Sequence, residues 1–153
     1  MNEWINLTNI SFACQMQDCS RFISVFEGFY SAEFLARSYF VVVDSLPMPD
    51  FLEFHQTGLY DEINKGANAI TYKNTYYLLH RVARDLSVHF HELVHVAQWK
   101  HLGYGAFIAR YMTELQSLGY EEAPLEKMAY KCEQNFTNRG PKIDVPTYIA
   151  SQM

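Results

Sequence analysis

The residues His91-Glu92-Leu93-Val94-His95 place two imidazoles and a carboxylate in the pattern HExxH. On an α-helix, residues four apart share a face, with Cβ atoms about 5–6 Å apart, so both imidazoles can reach one metal ion. Glu92 stands about 100° round the axis from His91. It can therefore reach a water beside the ion without taking a coordination position. Zinc brings the pKa of such a water to about 7, and a glutamate there accepts its proton during attack on a carbonyl. The chemistry expected of these five residues is metal-assisted hydrolysis. The competing reading is a pair of core or surface histidines with an incidental glutamate between them.

A catalytic zinc needs a third protein ligand and a fourth position left open. His101 extends the pattern to the spacing HExxHxxGxxH, but Gln98 occupies the glycine position at which the chain would have to turn. If the helix continues to Gly103, His101 lies about 240° round from His95, off the metal face, where it would favour the negative end of the helix dipole. The alternative is a carboxylate from Glu121, Glu122 or Glu126, which cluster around Pro124. Glu126 falls in the first turns of the helix that Pro124 would open, and Ala129, three residues on, is small enough to let two helices approach closely. An acidic residue there can equally serve the positive end of the helix dipole, so position alone leaves both roles open.

These side chains need elements to hold them. Leu86 to Leu102 reads as a helix, with Asp85 as N-cap and Gly103 as terminator. A second helix is expected over 106–118, ending at Gly119, and a third from Pro124 to about Asn135. Upstream, Ala69 to Leu79 reads as a β-hairpin turning at Lys73-Asn74, with Asn supplying the positive φ of a tight turn. Phe22, Phe26, Phe29, Tyr30 and Phe34 recur at helical spacing and predict one amphipathic helix from Ser20 to about Phe40. Arg37 to Val43 has strand character as an alternative, because Val41, Val42 and Val43 are β-branched. The Leu46-Pro47-Met48-Pro49 segment breaks the chain, and a short helix over 50–55 would end at Gly58. The tail, with Gly140, Pro141 and Pro146, is expected to be ordered coil. The chain shows no repeat or linker and reads as a single domain, 1–153.

Composition excludes several classes. The 153 residues are 49% hydrophobic, 16% aromatic and 19% charged, too much apolar surface for a disordered chain. Twelve basic against 17 acidic residues give a net charge of −5, which argues against nucleic-acid binding through phosphate contacts. The apolar run Tyr39 to Val43 is far shorter than the ~20 residues of a membrane-spanning helix. The opening residues lack the basic and apolar regions of a signal peptide, so a cytoplasmic location is expected, with export by another route left open. Cys14, Cys19 and Cys132 form no CxxC pair and are expected as free thiols.

The segment His91 to Gln98, with Gly103 and Pro124-Leu125-Glu126-Lys127-Met128-Ala129, resembles the short bacterial gluzincin domains. It is most similar to small HExxH metallopeptidase-like proteins, some of them associated with contractile injection systems. Ala67-Asn68-Ala69-Ile70-Thr71 through Tyr77-Leu78 is similar to the strand pair that precedes the zinc helix there, so the resemblance covers roughly residues 66 to 132. It implies a minimal zincin-like α+β fold, with a small antiparallel or mixed sheet and its hairpin packed on the HExxH helix and further helices. His91, His95 and Glu126 would bind Zn2+, with Glu121 or Glu122 as lesser alternatives to Glu126. Glu92 would act as general base toward the water and then as general acid toward the leaving amine. The hairpin edge would pair with a peptide or protein substrate in extended conformation, and a secretion-system or regulatory partner is compatible with the likeness. Relatives often carry a second acidic or polar residue shortly after the glutamate ligand, where this chain has Met128.

The function expected is a zinc metallopeptidase. The alternatives are a non-catalytic, zinc-stabilised binding or scaffold module and an exported effector of the same fold. Among the remaining residues, His89 is expected in an exposed or capping role, His55 and His80 as ordinary residues, and Trp99 as a core anchor. Gln98 is expected either to bond across the helix pair or to be exposed, and an oxyanion donor is sought among Tyr104, Tyr111, Tyr120 and Tyr130.

Overall fold

A computed structural model of the chain describes residues 1–64 and 66–153, the side chain of residue 53 excepted. The elements follow in the order α1 (Asn2–Ser11), β1 (Gln17–Asp18), α2 (Ala32–Ala36), β2 (Tyr39–Val43), α3 (Leu52–Gln56), α4 (Leu59–Asn64), β3 (Ala69–Tyr72), β4 (Thr75–Leu79), α5 (Leu86–Leu102), α6 (Tyr104–Leu118), α7 (Pro124–Thr137) and α8 (Val145–Gln152). The fold is α+β, with a four-stranded mixed sheet in the order β1-β2-β4-β3. Strands β2 and β4 are parallel, and the antiparallel β3–β4 hairpin leaves β3 at a sheet edge. The connection from β2 to its parallel neighbour carries α3, α4 and β3, as a parallel pair requires a long crossover.

The hairpin turns at Lys73-Asn74, with Tyr72 opposite Thr75. The residue in the left-handed region is Lys73 (φ 62°), not the asparagine. Its ammonium group donates to the side-chain oxygens of Asn2 and Asn6, each at 2.7 Å, which ties α1 to the turn.

Helix α5 is the centre of the molecule. Asp85 caps it by accepting from the Ser87 amide at 3.0 Å, and Gly103 ends it at φ 81°. Every residue from His89 to Trp99 is buried, because β3 and β4 cover one side and α6, α7 and α8 the others. A helix enclosed on all faces has no solvent side on which to place its polar residues. His89, His91, Glu92, His95 and Gln98 must therefore all find partners inside the protein.

The aromatic periodicity over 20–40 reports burial and does not build one helix. Cys19–Phe22 is a short 3-10 turn, and Gly28 takes φ 87°. Ser31 then caps the five-residue α2 by accepting from the Phe34 amide at 3.0 Å. A left-handed glycine and a fresh N-cap interrupt the helical pattern, and the Val41-Val42-Val43 segment becomes the strand β2. The phenylalanines still converge, with Phe26 and Phe29 packing edge-on against Phe90, which stacks on Phe136. The tail also departs from coil. Asp144 accepts from the Thr147 amide at 2.9 Å, Pro146 sits in the first turn of α8, and Val145 and Ile149 bury against the core. Proline there opens a helix instead of preventing one.

The three cysteines are free, Cys14 exposed and the other two buried. Burial pushes the Cys19 thiol up to about 12 and that of Cys132 up to about 11. Among the described residues no helix is long and apolar enough to cross a membrane.

Candidate metal centre

His91 and His95 project from the same face of α5, their ring centroids 4.9 Å apart. Facing them is Glu126, in the first turn of α7, itself buried. Its Oε1 lies 3.1 Å from His91 Nε2 and 3.2 Å from His95 Nε2. Fully buried Ala129, three residues on, keeps the gap between α5 and α7 small enough for this reach. Ligands about 2.0–2.1 Å from a tetrahedral zinc stand about 3.3 Å from one another. Glu126 Oε1 already has that spacing to both imidazole nitrogens.

The partners of the other ring nitrogens fix what the Nε2 atoms can do. His91 Nδ1 is 2.9 Å from Glu133 Oε1, and a carboxylate only accepts, so Nδ1 carries the hydrogen. His95 Nδ1 is 2.8 Å from Gln98 Oε1. The Gln98 amide is oriented by its own donation to the Leu125 carbonyl at 3.0 Å, so His95 Nδ1 must also donate. In the neutral tautomers both Nε2 lone pairs then point at the Glu126 carboxylate. Three electron-rich atoms at this spacing repel unless positive charge lies among them.

Without a metal, that charge is protons. Burial opposes a charged His91, but the bonds to Glu126 and Glu133 outweigh it and push the group up to about 10. His95 is also raised, against the effect of burial, by Glu126. Burial would raise Glu126, yet His95 and His91 hold it well below the usual carboxylate range. A divalent cation meets the same demand and uses the Nε2 lone pairs directly, as metal-ligating histidines do when their other nitrogen is held by a hydrogen-bond acceptor.

Glu92 completes the group. His91, Glu92 and His95 each offer a ligand-type atom, all within 4.8 Å of one another. Glu92 Oε1 accepts from the Thr71 hydroxyl on β3 at 2.9 Å. Burial raises its pKa against the pull of His95 and His91. A carboxylate of raised basicity, bridged to an edge strand and placed beside the donors, can take up and release a proton there.

The structure separates the roles that sequence left open. Helix α7 does not need Glu126 at its positive end, because Glu114 of α6 serves it. Glu114 Oε1 accepts from the Leu125 amide at 2.8 Å, while its Oε2 accepts from Arg110 Nε at 2.7 Å. Glu121 and Glu122 are exposed, and Glu122 pairs with Lys127 at 2.6 Å. His101 is exposed on the last turn of α5, away from the buried pair His91 and His95. His89 is not exposed, contrary to expectation. The closed environment of α5 turns it into the core, where Nε2 donates to the Ala83 carbonyl at 2.8 Å and Nδ1 accepts from the Tyr76 hydroxyl at 2.6 Å. Gln98 bonds across the helix pair, and Trp99 stacks on Phe107.

Three contributors escaped the sequence reading: Glu133, Thr71 and Glu114. Glu133 had a signal, since it stands seven residues after Glu126 and so on nearly the same helical face. Of the four tyrosines considered, Tyr111 donates to Glu126 Oε2 at 2.7 Å and Tyr104 stacks on Trp99. Tyr120 and Tyr130, with hydroxyls 3.3 Å apart, border a polar cleft on the His91 side, beside Asn68 and Ser87. On the His95 side an apolar chamber opens instead.

Replacing Glu133 with alanine should weaken zinc binding by about 10–100-fold, the usual effect of removing the partner that orients a histidine ligand. Competition with a chelating dye measures it, and an unchanged affinity would deny Glu133 that role.

Compared with protein-family models, with curated proteins and with solved structures, the chain finds no match in any of the three.

Proposed function

We propose that this chain is a zinc-dependent hydrolase of the metallopeptidase type, built on a zincin-like fold. The observation that carries the reading is the approach of Glu126 Oε1 to 3.1 Å from His91 Nε2 and 3.2 Å from His95 Nε2, with Glu92 held beside them by Thr71. Zinc bound by these three residues would supply a Lewis acid that polarises a carbonyl and acidifies a water. Glu92 takes the proton from the attacking water and returns it to the leaving amine, which its raised pKa favours. Thr71 fixes the direction of the Glu92 carboxylate. Tyr111 donates to Glu126 Oε2, which itself lies 3.1 Å from His95 Nε2, and so holds the carboxylate against the imidazoles. Tyr120 and Tyr130, on the polar cleft, are the hydroxyls placed to donate to a substrate oxygen.

An extended peptide suits the site because β3 is an edge strand and borders both the apolar chamber and the polar cleft. Main-chain pairing with such an edge presents successive carbonyls along it. Zinc-loaded and chelator-treated protein, incubated with a diverse peptide mixture and read by mass spectrometry, tests the reading. Zinc-dependent cleavage at discrete bonds is expected. One bound zinc with no cleavage would favour the scaffold module instead.

A further inference from the structure

The chamber on the His95 side is mainly apolar. Its lining joins Glu92, His95, Glu126 and Thr71 of the centre to Phe107, Ile108 and Met112 of α6. The segment joining β2 to β3 adds Met48, Pro49, Phe54 and Ile63 as a further wall, and β3 adds Ile70. The segment is fastened in place: the Tyr72 hydroxyl donates to the Pro47 carbonyl at 2.6 Å, and Glu62 Oε1 accepts from the Tyr120 amide at 2.8 Å. Met48, Pro49, Phe54 and Ile63 lie outside the stretch that resembles gluzincin domains, so this wall is the chain's own.

Size and chemistry narrow what fits. The free space is about 70 Å³, roughly half of a ~150 Å³ apolar cavity that takes up benzene. A six-membered ring does not fit without displacing a wall, whereas a branched aliphatic group does. A charged side chain would lose its hydration with no partner along the apolar walls. We propose that this chamber receives one short aliphatic side chain, of valine or leucine size, from the substrate residue beside the cleaved bond. The segment between β2 and β3 sets the size limit. This rests on reading the adjoining centre as a peptide hydrolase.

The test uses the full chain carrying Glu92→Gln, so that turnover does not intervene, and capped glycyl-leucine, glycyl-phenylalanine and glycyl-aspartate amides as probes. Trp99 lines the chamber, and its indole N–H has no partner among the described residues, so its NMR signal reports occupancy. The leucine probe should bind roughly tenfold or more tighter than the other two, the scale on which apolar pockets discriminate by size. Met112→Ala should bring the phenylalanine probe level with leucine. Ala67→Leu, which fills the chamber from a loop, should weaken the leucine probe by a similar factor and leave zinc content unchanged. Equal binding of all three probes, or leucine binding untouched by Ala67→Leu, overturns the proposal. Selective leucine binding by a chain that cleaves nothing would keep the chamber and remove the hydrolase. Cleavage by the Glu92-bearing chain with no aliphatic preference would keep the hydrolase and remove the chamber.

Discussion

Replacing Glu126 with alanine is expected to abolish stoichiometric zinc binding, with a loss larger than the ~100-fold upper end for removing an orienting partner. The carboxylate is the only anionic group within 3.2 Å of both Nε2 atoms among the described residues. Its removal leaves two neutral nitrogen donors and no charge to offset the cation. The alanine variant also strands the Tyr111 hydroxyl, at about 1–3 kcal/mol for a buried unsatisfied group, so a fall in affinity could be confused with unfolding. Glu126→Gln separates the two effects. An amide oxygen can still accept from Tyr111 at the 2.7 Å contact, so the fold should persist while zinc is lost. Thermal unfolding and metal analysis on both variants decide it. Full zinc occupancy in Glu126→Gln would show that the ligand set is something else.

The second large effect belongs to Glu92. Glu92→Gln should reduce kcat/KM for any cleaved peptide by about 10²–10⁴-fold, the usual contribution of a positioned general base. The amide is nearly isosteric and can keep the Thr71 bond to Oε1, 2.9 Å long in the native chain. Zinc content should therefore stay at one per chain. Activity that survives this substitution would remove the proton-transfer role, whatever the metal does.

What sequence revealed of this arrangement was its local part. Asp85, Gly103, Pro124 and the β-rich arms around Lys73-Asn74 act within a few residues, and α5, α6, α7 and the hairpin formed where these signals stand. Glu126 was ambiguous because a carboxylate near a helix start has two uses. Only the packing of α6, which brings Glu114 to the Leu125 amide, shows that the dipole role is filled. Thr71 and Tyr111 reach the site across separations of 21 and 15 residues, which no local pattern records. The phenylalanine spacing over 22–34 misled for a physical reason. A run of turns can bury the same residues as a helix, and Gly28 at positive φ lies within that run. Helix α1 had no strong apolar stripe to announce it, and buries Ile5 alone.

X-ray absorption at the zinc edge of the zinc-loaded chain tests the central claim most directly. The expected spectrum is that of two imidazole nitrogens and one carboxylate at about 2.0–2.2 Å, plus one exchangeable light-atom position. Glu126→Gln should lose this signature and Glu92→Gln should keep it. A spectrum containing sulfur, a fourth protein ligand closing the site, or zinc absent from the native chain would contradict the account.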